Sequence, residues 1–262
     1  MEIKLLTPIS HLFKEQEALK DISEISDELE ARERTCEIDL LDTTHYHIDF
    51  DLNIGLSEDQ IEFLHKYVKP RENIETLTFQ AARDCEKIIV QKYGIYFPNS
   101  EPLSIDTQLE NTKKSLKIIR DIVGNQRKIG IENNNFYRTG AYEICTSTDF
   151  LTRCYESLGL HLLFDVAHAL VTCANKKIDF EDYKEKLLSN MDCKQVHLCE
   201  PSFQKYLNVA DAIDAHNLPT SKSTNETLEF MNKWKINYLT IEFYKDAFKL
   251  KEYLTYLKSL IL

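Results

Sequence analysis

Residues 160–170 read LHLLFDVAHAL. An apolar run of this length that closes on an acid looks like a strand buried on both faces, since a parallel strand covered by helices shows no polar alternation. Gly159 supplies the turn before it. Taking LHLLFDV (160–166) as that strand, three more segments have the same build: KIGIEN (128–133), KQVHLCE (194–200) and NYLTIEF (237–243). Charged amphipathic stretches at about 107–124, 148–157, 179–190, 224–234 and 246–261 read as helices, with Gly124, Gly159 and Pro219 as punctuation. Strand and helix in alternation predict βα units around a parallel sheet.

The N-terminal half carries four more strand candidates, EIKLL, TCEIDLL, HYHIDFDL and NIETLTFQ. DELEARER is the alternative to TCEIDLL for the second of them. Helices are expected at about 10–30 and 57–69, the latter opened by a Ser57-x-x-Gln60 capping box. Four strands and four strands make eight, and 262 residues suit one (β/α)₈ barrel, whose usual size is about 250. The expectation is α/β class, a single TIM-barrel domain over residues 1–262.

Composition narrows the function. Hydrophobic residues at 43% and charged residues at 29% allow a large core. No apolar run approaches the ~20 residues a membrane span requires, and no signal-peptide core follows MEIKLLTPISHLF, so a cytoplasmic protein without a membrane partner is expected. A net charge of −11 opposes phosphate-backbone binding, which makes nucleic acid a disfavoured partner. The seven cysteines (36, 85, 145, 154, 173, 193 and 199) are odd in number and never spaced C-x-x-C, which favours buried reduced thiols over disulfides or a zinc knuckle. Six glycines form none of GxGxxG, GxxxxGK[ST] or GxSxG, which removes dinucleotide, P-loop and serine-hydrolase readings.

What remains is how the strands end. IGI-Glu132, LLF-Asp165, QV-His197 and LTI-Glu242 each put a metal-type side chain where a strand gives way to its loop, and in a barrel those ends converge on one face. His168 follows Asp165 by three residues, and His216 follows Asp214 by two, a spacing that puts both side chains on one side of an extended segment. Singly, each residue has an ordinary explanation: a strand-end Asp caps a helix, and a lone His is a hydrogen-bonded structural group. Jointly, four acids at short range need a cation or strongly raised pKa values. A His/Asp/Glu set without Cys suits iron, manganese or zinc. His11, His65 and His161 read as surface or packing residues.

With these residues the chain resembles the xylose-isomerase-like TIM barrel superfamily, which includes endonuclease IV-type repair enzymes and sugar isomerases. Within it, residues 108–245 look most like the multinuclear non-haem iron-dependent oxidases of peptide natural-product biosynthesis, of the methanobactin-biosynthesis type. IGIENNNFY, LLFDVAHALVTCAN, QVHL, IDAHNLP and LTIE carry the likeness in order. The resemblance implies two or three irons held by Glu132, Asp165, His168, His197, Asp214, His216 and Glu242, with His47 as a further ligand and His45 as its alternative. Glu132, Asp165, His197 and Glu242 are the implied catalytic set, and Asn133 and Tyr137 the groups that orient ligands or substrate. Two departures stand out. His168 occupies a position that is commonly Asn in the oxidases, and their second early-strand His falls near Gln80, where this chain has none.

The implied chemistry is O₂-dependent oxidation of a cysteine in a ribosomally made precursor peptide, begun when the peptide thiolate binds ferrous iron, with a separate partner protein capturing the leader. The alternative is a manganese- or zinc-dependent sugar isomerase or epimerase in which Glu132 and Glu242 shuttle a proton. Phosphodiester hydrolysis of the endonuclease IV kind, which the acidic balance opposes, and a non-catalytic descendant rank lower.

Overall fold

The computed structural model describes residues 2–14, 16–38 and 43–261. Its strands are β1 (Lys4–Pro8), β2 (Glu28–Arg32), β3 (His45–Asp51), β4 (Thr76–Gln80), β5 (Ile88–Val90), β6 (Tyr96–Pro98), β7 (Lys128–Glu132), β8 (His161–Asp165), β9 (Cys193–Leu198), β10 (Glu200–Ser202), β11 (Ile213–Asn217) and β12 (Tyr238–Ile241). Its helices are α1 (Gln16–Ile25), α2 (Glu58–Phe63), α3 (Ile105–Val123), α4 (Thr148–Leu158), α5 (Val166–Lys176), α6 (Phe180–Asn190), α7 (Ser221–Trp234) and α8 (Ala247–Ile261). Eight parallel strands close in the order β1-β12-β9-β8-β7-β4-β3-β2, so β1 pairs with both β12 and β2 and the sheet has no edge. This is the expected (β/α)₈ TIM barrel. Two antiparallel hairpins, β5–β6 and β10–β11, are inserted after β4 and β9.

Period-2 alternation sorts the side chains. Ile129, Ile131, Leu162, Phe164, Val196, Leu198, Leu239 and Ile241 are buried on the outer face under the helices, as where Phe164 meets Phe230 of α7 edge-on at 5.8 Å. The inner face is unusually polar: Lys4 pairs with Glu28 at 2.7 Å, His47 with Thr78 at 2.9 Å, and Gln195 donates to Thr240 at 2.9 Å. Gly130 sits inside because a Cβ there would lie 3.1 Å from both the His161 carbonyl oxygen and Thr78 Cγ2.

Seven of the eight expected barrel strands match within a few residues. The described part of TCEIDLL forms no strand: Glu33–Thr35 is a 3-10 turn, Cys36–Ile38 are turn and bend, and residues 39–41 lie outside the described residues. The second strand is DELEARER, whose Glu28, Glu30 and Arg32 face a polar lumen and so lack an apolar signature. The helix expected at 10–30 is shorter, a 3-10 turn at His11–Lys14 followed by α1. The Ser57 capping box is present, and α2 runs on into a π turn at Leu64–Val68. Helix α5 has no counterpart among the expected helices, because the apolar run LHLLFDVAHAL crosses a strand–helix junction and carries no break in hydrophobicity. All seven cysteines are free, and six of them are buried. Among the described residues no helix is long and apolar enough to cross a membrane.

Candidate metal centre

The deepest layer of the site comes from β2, β9 and β12. Glu30 is fully buried, and its Oε2 accepts from His197 Nε2 at 3.0 Å and from Thr240 Oγ1 at 3.3 Å, with Gln195 Nε2 donating to the same oxygen. With Nε2 donating to a carboxylate, Nδ1 is the nitrogen of His197 that turns to the centre, and it would offer a lone pair once its own proton is displaced. That nitrogen lies 3.2 Å from Glu132 Oε1 and 3.3 Å from Glu242 Oε1, buried and without a hydrogen-bond partner.

Glu132, at the end of β7, faces two ways. Its Oε2 lies 3.5 Å from His47 Nε2 and accepts from Gln80 Nε2 at 3.2 Å. His47 Nδ1 is engaged with Thr78 Oγ1, so Nε2 points at Glu132 and at Asp49 Oδ1, 3.2 Å away. His45, two residues earlier on the same strand face, pairs instead with Thr44 and Glu28 at the opposite end of the barrel. Of the two sequence candidates, His47 is the one at the site.

Asp165 ends β8 and caps α5, accepting from the His168 backbone at 2.7 Å with Oδ1. Its ordinary reading as a cap is therefore correct, yet Oδ2 remains buried and unpartnered among the other acids. Asn133 clamps the junction: its side chain accepts from the Asp165 backbone at 2.8 Å and donates to the Asp165 carbonyl at 2.9 Å. The Asn133 carbonyl binds His168 Nδ1 at 2.9 Å, which turns Nε2 toward Asp214 Oδ2, 3.5 Å away. Asp165 and His168 thus meet across a helical turn, whereas Asp214 and His216 share an extended segment, β11. His216 Nδ1 lies 3.5 Å from Asp214 and its Nε2 3.5 Å from Glu242 Oε2. Tyr137 accepts from the Asp214 backbone at 3.3 Å.

All eight side chains singled out in the sequence therefore form one connected cluster. Five others carry no mark in the sequence reading. Glu30 and Arg32 alternate on β2, Asp49 follows His47 by two, Tyr244 follows Glu242 by two, and Cys199 follows His197 by two. Extending the same-face spacing of a strand past its last apolar residue is the signal that finds each of them. Arg32 forms ion pairs with both Glu30 and Glu242 and puts a permanent positive charge beside them. Tyr244 donates to Glu242 at 3.0 Å. The donor set is also not free of sulfur: ligand atoms of Cys199, Asp214 and His216 lie within 4.8 Å of one another, as do those of Asp165, Cys199 and Glu242, and those of Glu132, Asp165 and His197.

The electrostatics follow from this crowding. Burial, with Glu242 and Glu132 adding to it, pushes Asp165 up to about 7. Burial opposes charge on His197, but Glu30 and Glu242 outweigh it and hold the imidazole up at about 10. His216 is raised to about 8, with Asp214 and Glu242 outweighing burial. Glu242 is lowered despite its burial, by Arg32 and His197. Protonated imidazoles and Arg32 are thus the charges that balance the acids, and a metal ion would displace the imidazole protons. The unpartnered Asp165 Oδ2 and His197 Nδ1 are the kind of buried polar atoms that call for a partner, and they and their neighbours fit a divalent cation.

Above the cluster opens a cavity of about 590 Å³. Its walls are aromatic, with Tyr93 and Tyr96 from the β5–β6 insertion, Tyr137 and Tyr142 from the loop after β7, and Tyr244 after β12; Arg34 and His11 stand at the same cavity.

The fold is similar to those of several solved proteins. For 3-keto-D-glucoside 4-epimerase from E. coli the identity is 13% over 98% of this chain and 100% of that one, with a TM-score of 0.62. For a xylose isomerase domain protein from Planctomyces limnophilus it is 11% over 99% and 95%, with a TM-score of 0.61. For endonuclease IV from Thermus thermophilus it is 12% over 98% and 99%, with a TM-score of 0.59. At such identities the likeness shows the (β/α)₈ barrel fold and nothing more. No curated protein matches the sequence. Residues 92–256 match the model of a family described as RiPP precursor modification enzyme MbnB/TglH/ChrH, a span that holds the ends of β7, β8, β9, β11 and β12 but not those of β2, β3 and β4. With well over half of its length matched, the chain belongs to this family of enzymes that modify ribosomally made precursor peptides.

Proposed function

We propose that this protein is a multinuclear iron-dependent oxidase that modifies a cysteine of a ribosomally made precursor peptide. The observation that carries the reading is Glu132, whose two oxygens face different imidazoles, Oε1 toward His197 Nδ1 and Oε2 toward His47 Nε2, so that one carboxylate could serve more than one ion. Asp165, Glu242 and His197 would hold an ion on one side and His168, Asp214 and His216 on another, while Asp49 and His47 line the third side, where Gln80 also stands. Gln80 stands where the resemblance places a histidine; its Nε2 donates to Asp49 and Glu132 and offers no lone pair from that atom, which favours two irons over three.

Bound iron supplies the redox chemistry and lowers the pKa of a thiol that reaches it. The chain's own residues do the rest. Glu30, Thr78 and the Asn133 carbonyl hold His197, His47 and His168 in the tautomers that direct a lone pair inward. The cavity of about 590 Å³ has room for a cysteine with its neighbouring residues, and a bound peptide packed on the tyrosines would displace water from the centre, the environment in which charge interactions gain strength. A separate protein that captures the leader is part of this proposal.

The test is metal analysis of untagged protein purified without oxygen, followed by incubation of a cysteine-bearing precursor peptide with O₂ and mass spectrometry of the product. Two or more irons per chain and a mass change that a Cys→Ser peptide does not show are expected. Manganese or zinc with turnover of a sugar would instead favour the epimerase alternative, and absence of metal would refute both. His197→Ala and Glu242→Ala should strip metal without unfolding the barrel, because each removes a strand-end side chain and leaves the outer core in place.

A further inference from the structure

We propose that Cys199 is a resident thiolate ligand, binding the ion held by Asp214 and His216 and closing that side of the centre with sulfur. The proposal rests on the metal reading above and adds to it a ligand of a different chemical class. Cys199 lies just past β9, two residues beyond His197 and on the same face, 1% exposed. Its Sγ is grouped twice over, with Asp214 and His216 and with Asp165 and Glu242, each group within 4.8 Å. Independently of the thiol, Asp165 Oδ2 is fully buried beside it and has no hydrogen-bond partner.

Other buried thiols of the chain behave differently. Cys173 and Cys193 donate to the backbone oxygens of Asp179 and Gln195 at 3.8 and 3.4 Å, and Cys154, on the buried face of α4, belongs to the hydrophobic core. Cys199 instead has ligand atoms of Asp165, Asp214, His216 and Glu242 within 4.8 Å. A neutral thiol is only a weak donor to such carboxylates, whereas a cation placed among them gains a sulfur ligand. Metal–sulfur bonds of about 2.3 Å and metal–oxygen or metal–nitrogen bonds of about 2.0 Å set donors about 3.5 Å apart, so the present spacing closes by side-chain rotation of about 1 Å. As the bond forms, the thiol proton passes to water. A thiolate in the set favours iron, zinc or cobalt over magnesium or calcium, which fits an enzyme whose substrate is itself a thiol.

Cobalt(II) is the probe, because its thiolate complexes have an intense near-ultraviolet charge-transfer band that nitrogen and oxygen ligands do not produce. The wild-type protein titrated with cobalt should develop the band, Cys85→Ala should keep it, and Cys199→Ser should bind cobalt and lose it. X-ray absorption of the cobalt-loaded wild type should show a sulfur neighbour at about 2.3 Å, which decides the matter even if the serine variant fails to fold. Cobalt bound to the wild type without the band and without a sulfur neighbour overturns the proposal, as does a band that survives in Cys199→Ser. A wild type that binds no cobalt brings down the metal reading itself, and the proposal with it.

Discussion

Arg32→Met tests whether a side chain of this protein stands in for part of a metal's charge. The guanidinium is mostly buried, 13% exposed, and pairs with Glu30 at 0% and Glu242 at 4% exposure. Methionine keeps much of the stem and removes the charge, leaving two buried carboxylates with His197, and His216 at Glu242, as their remaining counter-ions. Removing one partner of a buried pair typically costs about 3–5 kcal/mol, and at roughly 2–4 °C per kcal/mol for a chain of this size the melting temperature should fall by on the order of 10 °C. Glu242 and Glu30 have carboxyl pKa values held below the ordinary range in the folded protein. Their contribution is therefore present above an unfolded pKa of about 4.3 and is lost as pH falls. The deficit of Arg32→Met should accordingly be full near neutrality and shrink on acidification. It should also shrink when iron or cobalt is added, since a divalent ion at Glu242 restores the missing charge. The assay is thermal unfolding of metal-free protein in chelator and of metal-loaded protein, across pH. If the metal-free variant melts with the wild type at neutral pH, the ion pairs are not what balances the cluster.

Three further outcomes are expected. Glu30→Gln weakens the charge that orients His197 and makes it a better ligand, so metal affinity measured by chelator competition should drop at least about tenfold, and an unchanged affinity would rule out that positioning role. In metal-free protein Asp165 is raised to about 7 and His197 to about 10. The first costs stability as pH rises from about 4 through 7, and the second contributes stability below about 6.5 that is lost as pH rises through 10; the melting temperature in chelator should therefore decline from pH 5 to 9, and a flat or rising profile would contradict the protonation states described. Gly130→Ala puts a methyl group 3.1 Å from the His161 carbonyl oxygen and Thr78 Cγ2 and should cost about 1–3 kcal/mol in urea unfolding with metal stoichiometry unchanged.

The outer half of this protein is written in its sequence. Strands such as IGI before Glu132 and LTI before Glu242 are apolar because one face packs under helices, and that burial leaves a linear signal that yields the barrel and the strand-end ligands Glu132, Asp165, His197 and Glu242. The inner half is not written in this way. β2 is obscured because its lumen-facing side chains are Glu28, Glu30 and Arg32, and a charged residue reads as a surface residue until the partners that neutralise it are known. Helix α5 is hidden because hydrophobicity does not change where the chain turns from strand to helix at Asp165. Local order along the chain determined which side chains stand at strand ends and hence which residues can reach a common face. Only closure of the barrel decided that Arg32 would sit between Glu30 and Glu242, 210 residues apart in the case of Glu242, and that Cys199 would share a site with Asp214, because charge balance and ligand geometry depend on distances through space that sequence spacing does not carry.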